Sequence, residues 1–256
     1  MEFERALILL LVFFRMIGVI GLLPIFGADR ARLPKIVLSF TLAVLIFPNV
    51  DAGYARKLLQ GGPVHYLILV ASEFAIGFLI GLVIELVFSA IRIGFSLAGY
   101  QMGLGLARQI DPTVNEQQTM ATQFAIIFAG LLFFATDMHL MVIKNAIISY
   151  KIIPLGHILL KPALGREIIS FAGKMFLTAI KLGAPLIGMM LIVMLLFAFM
   201  AKAIPQVNVY FMALPMKIGL GIICFALCLP YLTYVIVAHF DEMAREIQKV
   251  LFLLKP

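Results

Sequence analysis

Seven apolar runs, separated by short polar breaks, fill most of the 256 residues; they fall at about 6–28, 33–48, 64–91, 120–136, 138–153, 171–200 and 207–237. A membrane-crossing helix needs about 20 apolar residues, because the hydrocarbon core is about 30 Å thick and each helical residue rises about 1.5 Å. The pattern therefore predicts an all-α, polytopic helical membrane protein with room for about six or seven passes. The second, fourth and fifth runs are short for a full span and read as re-entrant or buried inside an assembly. No fixed-period repeat or long linker divides the chain, so 1–256 reads as one membrane domain. Its last stretch, Asp241 to Lys255, mixes charges with an apolar face and reads as a cytosolic amphipathic helix at about 240–256.

Composition agrees with the pattern. Hydrophobic residues make up 63% and charged residues 13% of the chain, against about half and one quarter in a soluble domain. The net charge of +7 is spread between segments, which gives no support to nucleic-acid binding. If all seven runs cross, most Lys and Arg, from Arg30 and Arg92 to Arg245 and Lys249, collect on one side, leaving Arg5, Arg56, Lys57 and Lys202 on the other. The positive-inside rule then puts the N-terminus outside and the C-terminus in the cytoplasm. The first run, with Glu2 and Glu4 before it, reads as a retained anchor and not a cleaved signal. Cys224 and Cys228 read as packing residues, and the chain has no phosphate-binding loop, Gly-x-Ser-x-Gly motif or metal-ligand cluster, so neither a cofactor nor catalysis is expected.

Charges inside apolar runs are the informative exceptions, since they normally face protein or water. Glu73, Gly77, Gly81 and Glu85 recur every fourth residue, and Ser89, Arg92, Ser96, Gly99 and Gly103 continue near the same face. Small residues favour close helix contact, which leaves two readings. Either the row packs within the chain, with Glu85 met by a lysine or Arg92, or it meets other subunits or an aqueous path. A second row joins Lys174, Thr178, Lys181, Pro185 and Gly188. Lys174 there suits snorkelling to the interface, and the deeper Lys181 a carboxylate partner or cavity. Asp137-Met138-His139 reads as a helix cap in a bend.

The longest polar interruption is GYQMGLGLARQIDPTVNEQQT, residues 99–119. Its glycines loosen the end of one helix, and Asp111 with Pro112, or Thr113 with Glu116, can start the next. The irregular part then shrinks to about Leu104–Ile110, a short connector.

Several motifs together resemble one family. AGYQMG at 98–103, the Asp-Pro at 111–112, DMH at 137–139, Ser149, Pro154 and above all AKAIPQVNVYFMALPMKIGLG at 201–221 are similar to the FliR family of flagellar export-gate subunits. The specific element is the set Pro205, Gln206, Asn208, Pro215 and Lys217. The likeness extends from Arg15 and Pro24 through Glu73 and Gly77 into the last apolar run. It implies a non-catalytic subunit of a type III protein export gate, present in one copy with several FliP and FliQ subunits. It also implies contact with FlhB, with FlhA nearby, in the bacterial inner membrane at the base of the flagellar basal body. Helical hairpins assemble there into a channel for unfolded exported polypeptides. The loop matching 104–118 resembles a pore plug, which carries Leu104, Leu106, Arg108, Gln109, Ile110, Asp111 and Pro112 over as gate elements.

Two other functions stay open. The equivalent subunit of a virulence injectisome shares these motifs. An ion-coupled solute transporter would use Glu73, Glu85 and Lys181 as coupling groups, although no inverted repeat is detected. A membrane enzyme ranks last, because the Asp137–His139 pair lacks a nucleophile.

Overall fold

A computed structural model describes residues 2–24, 32–50, 62–105, 119–156, 161–203 and 209–255. All regular structure among them is helical: α1 (Glu2–Gly21), α2 (Arg32–Ile46) with a single 3-10 turn after it, α3 (Gly62–Gln101), α4 (Met120–Ala135), α5 (Met138–Ile152), α6 (Pro162–Ala203) and α7 (Val209–Leu253). Each apolar run became a helix because a helix pairs its backbone polar groups within itself, as a lipid environment demands. Pro185, Pro215 and Pro230 lie inside α6 and α7, positions that cost a soluble helix a backbone bond but are tolerated in membrane helices.

The expected six or seven passes are corrected. Among the described residues only α3, α6 and α7 are long and apolar enough to cross a membrane, with α4 and α5 adding a fourth if that pair, bent by 67°, forms one span. The shortfall is physical: α1 carries Glu4, Arg5 and Arg15 within its 20 residues, and α2 has only 15. Three crossings keep the termini on opposite sides, as seven did; four put them on the same side.

The bend between α4 and α5 is made at Asp137, a non-glycine residue with φ of 55°, in the left-handed region that Asp and Asn tolerate best. Its side chain caps nothing, contrary to the capping expected from the sequence. The Asp137 carbonyl instead accepts the Leu140 and Met141 amides at 3.0 and 3.2 Å.

The chain forms two compact units. Unit 1 comprises Met1–Val87, Phe134–Ala172 and Phe240–Pro256, and unit 2 comprises Phe88–Phe133 and Gly173–His239. The core of unit 1 gathers Ile8, Leu11, Val12, Met16 and Ile20 of α1 with Ala43 and Ile46 of α2, Leu69 of α3, and Ala146 and Tyr150 of α5. The tail read as a separate amphipathic helix is the unbroken end of α7. It buries Phe240, Met243, Ile247, Val250, Leu251 and Leu254, at the three- and four-residue steps of one helical face.

Unit 2 is built differently. Phe95 and Phe124 each meet Phe225 edge-on, at 5.5 and 5.3 Å between ring centres, the arrangement aromatic quadrupoles favour. At Gly94 the backbone of α3 lies against α6: a Cβ added there would come within 2.5 Å of the Ala179 carbonyl oxygen, and one on Gly183 within 2.9 Å of the Gly94 oxygen. Only glycine allows that approach.

Candidate functional site: a sealed polar clamp and two exposed rows

The polar row of α3 begins at Glu73, and α1 covers it. Arg15 and Glu73 side chains are both 0% exposed, with Nε donating to Oε2 at 2.6 Å. The rest of the guanidinium is also engaged: Nη1 donates to Ser149 Oγ at 3.1 Å, Nη2 donates to the Ile153 carbonyl at 3.2 Å, and the group lies 4.2 Å from the centre of the Tyr150 ring. Tyr150 in turn donates to the Val12 carbonyl at 3.1 Å. On the acid side, Oε1 accepts the Gly156 amide at 2.8 Å. Gly156 has φ of 79°, a conformation open to glycine at little cost. One ion pair thus joins α1, α3, α5 and the turn that follows α5. Charges taken this far from water persist only when paired and fully hydrogen-bonded.

The glycines beyond Glu73 serve the same contact. A Cβ on Gly77 would collide with the Arg15 carbonyl oxygen and lie 3.1 Å from Gly18 Cα; one on Gly18 would lie 2.7 Å from the Phe74 oxygen, and one on Gly81 2.8 Å from the Gly18 oxygen. Of the two readings of Glu73, Gly77 and Gly81, the packing observed is the intramolecular one, α3 against α1. Farther along α3, Glu85 acts electrostatically on Lys35: burial lowers the Lys35 ammonium from its ordinary pKa and Glu85 draws it back up. Lys35 also donates to the Gly21 carbonyl at 2.8 Å. Arg92 reaches Ser89 Oγ at 3.4 Å.

The second row divides. Thr178 is buried, whereas Lys174 and Lys181 are exposed. Lys181 makes no ion pair among the described residues, so the carboxylate partner expected for it is not supplied by this part of the chain. Thr178 Oγ1 sits 2.7 Å from His239 Nε2, and His239 Nδ1 sits 2.7 Å from the Val235 carbonyl. A carbonyl only accepts, so Nδ1 carries the proton of that bond.

At the proposed gate loop, α3 ends at Gln101 and the chain turns at Gly103, whose φ is 82°, and the Leu104 amide reaches back to the Gly99 carbonyl at 3.1 Å. Such a left-handed glycine closes many helices. Leu104 packs with Phe197 on the buried Met102, Met190 and Val193. The cap of α4 is Thr119, whose Oγ1 accepts the Thr122 amide at 3.3 Å. The expected caps Asp111, Thr113 and Glu116 lie outside the described residues, as do Leu106, Arg108, Gln109, Ile110 and Pro112. So do Pro205, Gln206 and Asn208, while Pro215 and Lys217 are in α7.

The clamp itself was not foreseen. The sequence names Arg15, Glu73 and Ser149 without pairing them; the signal that could pair them is that an arginine in one apolar run needs an acid from another, and the third run offers two, Glu73 and Glu85. The Gly94–Gly183 approach carried no comparable signal, because small residues mark close packing without naming the partner.

Of the residues that carried the resemblance, Arg15, Glu73, Gly77 and Ser149 meet in unit 1, whereas AGYQMG at 98–103 and Pro215 with Lys217 belong to unit 2. The sequence profile described as Bacterial export proteins, family 1 matches residues 6–243. The chain belongs to the FliR family of bacterial export proteins. Among proteins similar to this FliR-family chain is the flagellar biosynthetic protein FliR of Bacillus subtilis, 26% identical over 251 residues, covering 96% of this chain and 94% of the relative. Those of Aquifex aeolicus and Pectobacterium carotovorum are each 28% identical, covering 94% and 85% of this chain and 93% and 82% of their own length. Its three candidate spans make this FliR-family chain a polytopic membrane protein.

Proposed function

We propose that this chain is the R-type subunit of a flagellar type III export gate. It joins FliP and FliQ subunits, contacts FlhB with FlhA nearby, and helps form the inner-membrane channel for unfolded polypeptides at the base of the basal body. The observation that carries the reading is the export-family match over residues 6–243, together with relatives named flagellar biosynthetic protein along nearly the whole chain. Those names favour the flagellar system over an injectisome. The clamp argues against an ion-coupled transporter, since both Glu73 oxygens are engaged and the pair is sealed from solvent. A role without catalysis agrees with the relatives' names.

In this reading residues 104–112 fill the pore at rest. A channel wide enough for a polypeptide leaks ions unless a movable segment occupies it, and Gly103 turns the chain just after α3, where that segment begins. The test is twofold. The tagged chain should co-purify with P- and Q-type subunits; purification without them would remove the gate assignment. Deleting residues 106–114 should raise ion leakage through the assembled complex while leaving its composition unchanged, and unchanged conductance would remove the plug.

A further inference from the structure

In α6, Leu182 to Ala201 contain no charged residue and are bracketed by Lys181 and Lys202, both exposed. In α7, Ile218 to Phe240 contain none and are bracketed by Lys217 and Asp241. At about 1.5 Å per residue each run spans roughly the 30 Å of a hydrocarbon core.

The two runs are also in register. Thr178, just before the first, bonds His239, at the end of the second. At the other ends only residues 204–208 join the helices, a link that can extend no more than about 3.3–3.6 Å per residue. The helices are therefore antiparallel, with Lys181 level with the His239 end and Lys202 with the Lys217 end.

What these runs leave uncovered is apolar. Met189, Leu191, Ile192, Met194, Leu195 and Phe199 of α6 are exposed, as are Ile222, Ile223 and Leu227 of α7. From Leu191 to Met200 only Val193 is buried and only Phe197 half-buried, and a helix apolar around nearly its whole circumference suits lipid better than one partner groove. Tyr231 and Tyr234 are exposed within about one and a half turns of Lys181's level, where aromatic residues gather at a membrane–water boundary.

We infer that this α6–α7 hairpin is the chain's acyl-chain-contacting surface, with Lys181 and Lys202 reaching the phosphates of opposite leaflets. Lysines at the ends of an apolar run extend their ammonium groups to that level. The inference accounts for an exposed Lys181 that has no carboxylate partner among the described residues, and it is independent of the gate assignment.

The chain contains no tryptophan, so one introduced indole reports alone. Ile192→Trp and Leu227→Trp place it at the midpoints of the two runs, at exposed positions that disturb little packing. Ile169→Trp places it at an exposed site in α6, outside the run. The full chain is reconstituted in phosphatidylcholine–phosphatidylglycerol vesicles carrying bromine near the acyl terminus or near the carboxyl end. The inference requires that Ile192→Trp and Leu227→Trp lose most emission to terminal bromine and little to aqueous acrylamide, while Ile169→Trp does the reverse. Midpoint tryptophans quenched by acrylamide would overturn it. So would tryptophans shielded from both quenchers, which would put a second copy or another protein on this face. Equal lipid quenching of Ile169→Trp would overturn the boundary at Lys181.

Discussion

Unit 1 and unit 2 both bring glycine backbones close, but they differ in what is added to that contact. Unit 1 adds a buried charge pair whose donors and acceptors are met by four segments. Unit 2 uses a backbone approach at Gly94 and Gly183, and separately the edge-on contacts of Phe95 and Phe124 with Phe225. Where lipid is as apolar as leucine, greasy surface alone drives little association between helices, leaving polar bonds and close packing. Unit 1 combines the two, adding the charge pair to its own close glycine seam at Gly18, Gly77 and Gly81, while unit 2 relies mainly on close packing. The polar joint fails when a single partner is removed, and the close-packed joint fails when atoms are added.

The comparison is broken most strongly in unit 1. Arg15→Ala leaves Glu73 charged and buried alone, and should cost about 3–5 kcal/mol, the usual penalty for an orphaned buried charge. A lowered thermal transition of the purified protein would register it. The double replacement Arg15→Met with Glu73→Leu should restore much of that loss, because well-packed apolar substitutes for buried pairs are often tolerated. If the double variant is no more stable than the single one, the clamp is not an ion-pair joint.

The next effect belongs to unit 2. Gly94→Leu drives side-chain atoms into the Ala179 backbone and should cost about 1–3 kcal/mol or more through overpacking. Gly188→Leu, on α6 with nothing within 4 Å of its added Cβ, should cost nothing measurable. Equal losses in the two would show that the seam at Gly94 is not a close-packing contact. A still smaller loss of about 0.5–1.5 kcal/mol, the net worth of one hydrogen bond, is expected for Thr178→Val, which removes the link to His239. An unchanged transition in that variant would show that unit 2 does not depend on polar bonds at all.

Much of this was legible in the sequence, and the gaps have physical causes. Each apolar run marked a helix, but α3, α6 and α7 extend past the runs because amphipathic turns such as 240–253 carry charges and stay helical against a core. The four-residue step from Glu73 to Gly81 placed those residues on one face, yet periodicity is silent about what covers a face, so α1 as the cover was not specified. The expectation of a carboxylate partner or cavity for Lys181 rests on the whole apolar run of 171–200, whereas the charge-free part begins only after it.

The clamp also has a timetable. Arg15 is synthesised 58 residues before its counter-ion Glu73, and 134 and 138 residues before the acceptors Ser149 and Ile153. At about 5–20 residues per second, the guanidinium waits about 3–12 s for its neutralising acid and about 7–28 s for its last hydrogen bond. Throughout that interval α1 holds a cation that cannot settle in hydrocarbon. An unpaired Arg15 therefore favours a wetter setting for the first helix until Glu73 and the turn at Gly156 have been made.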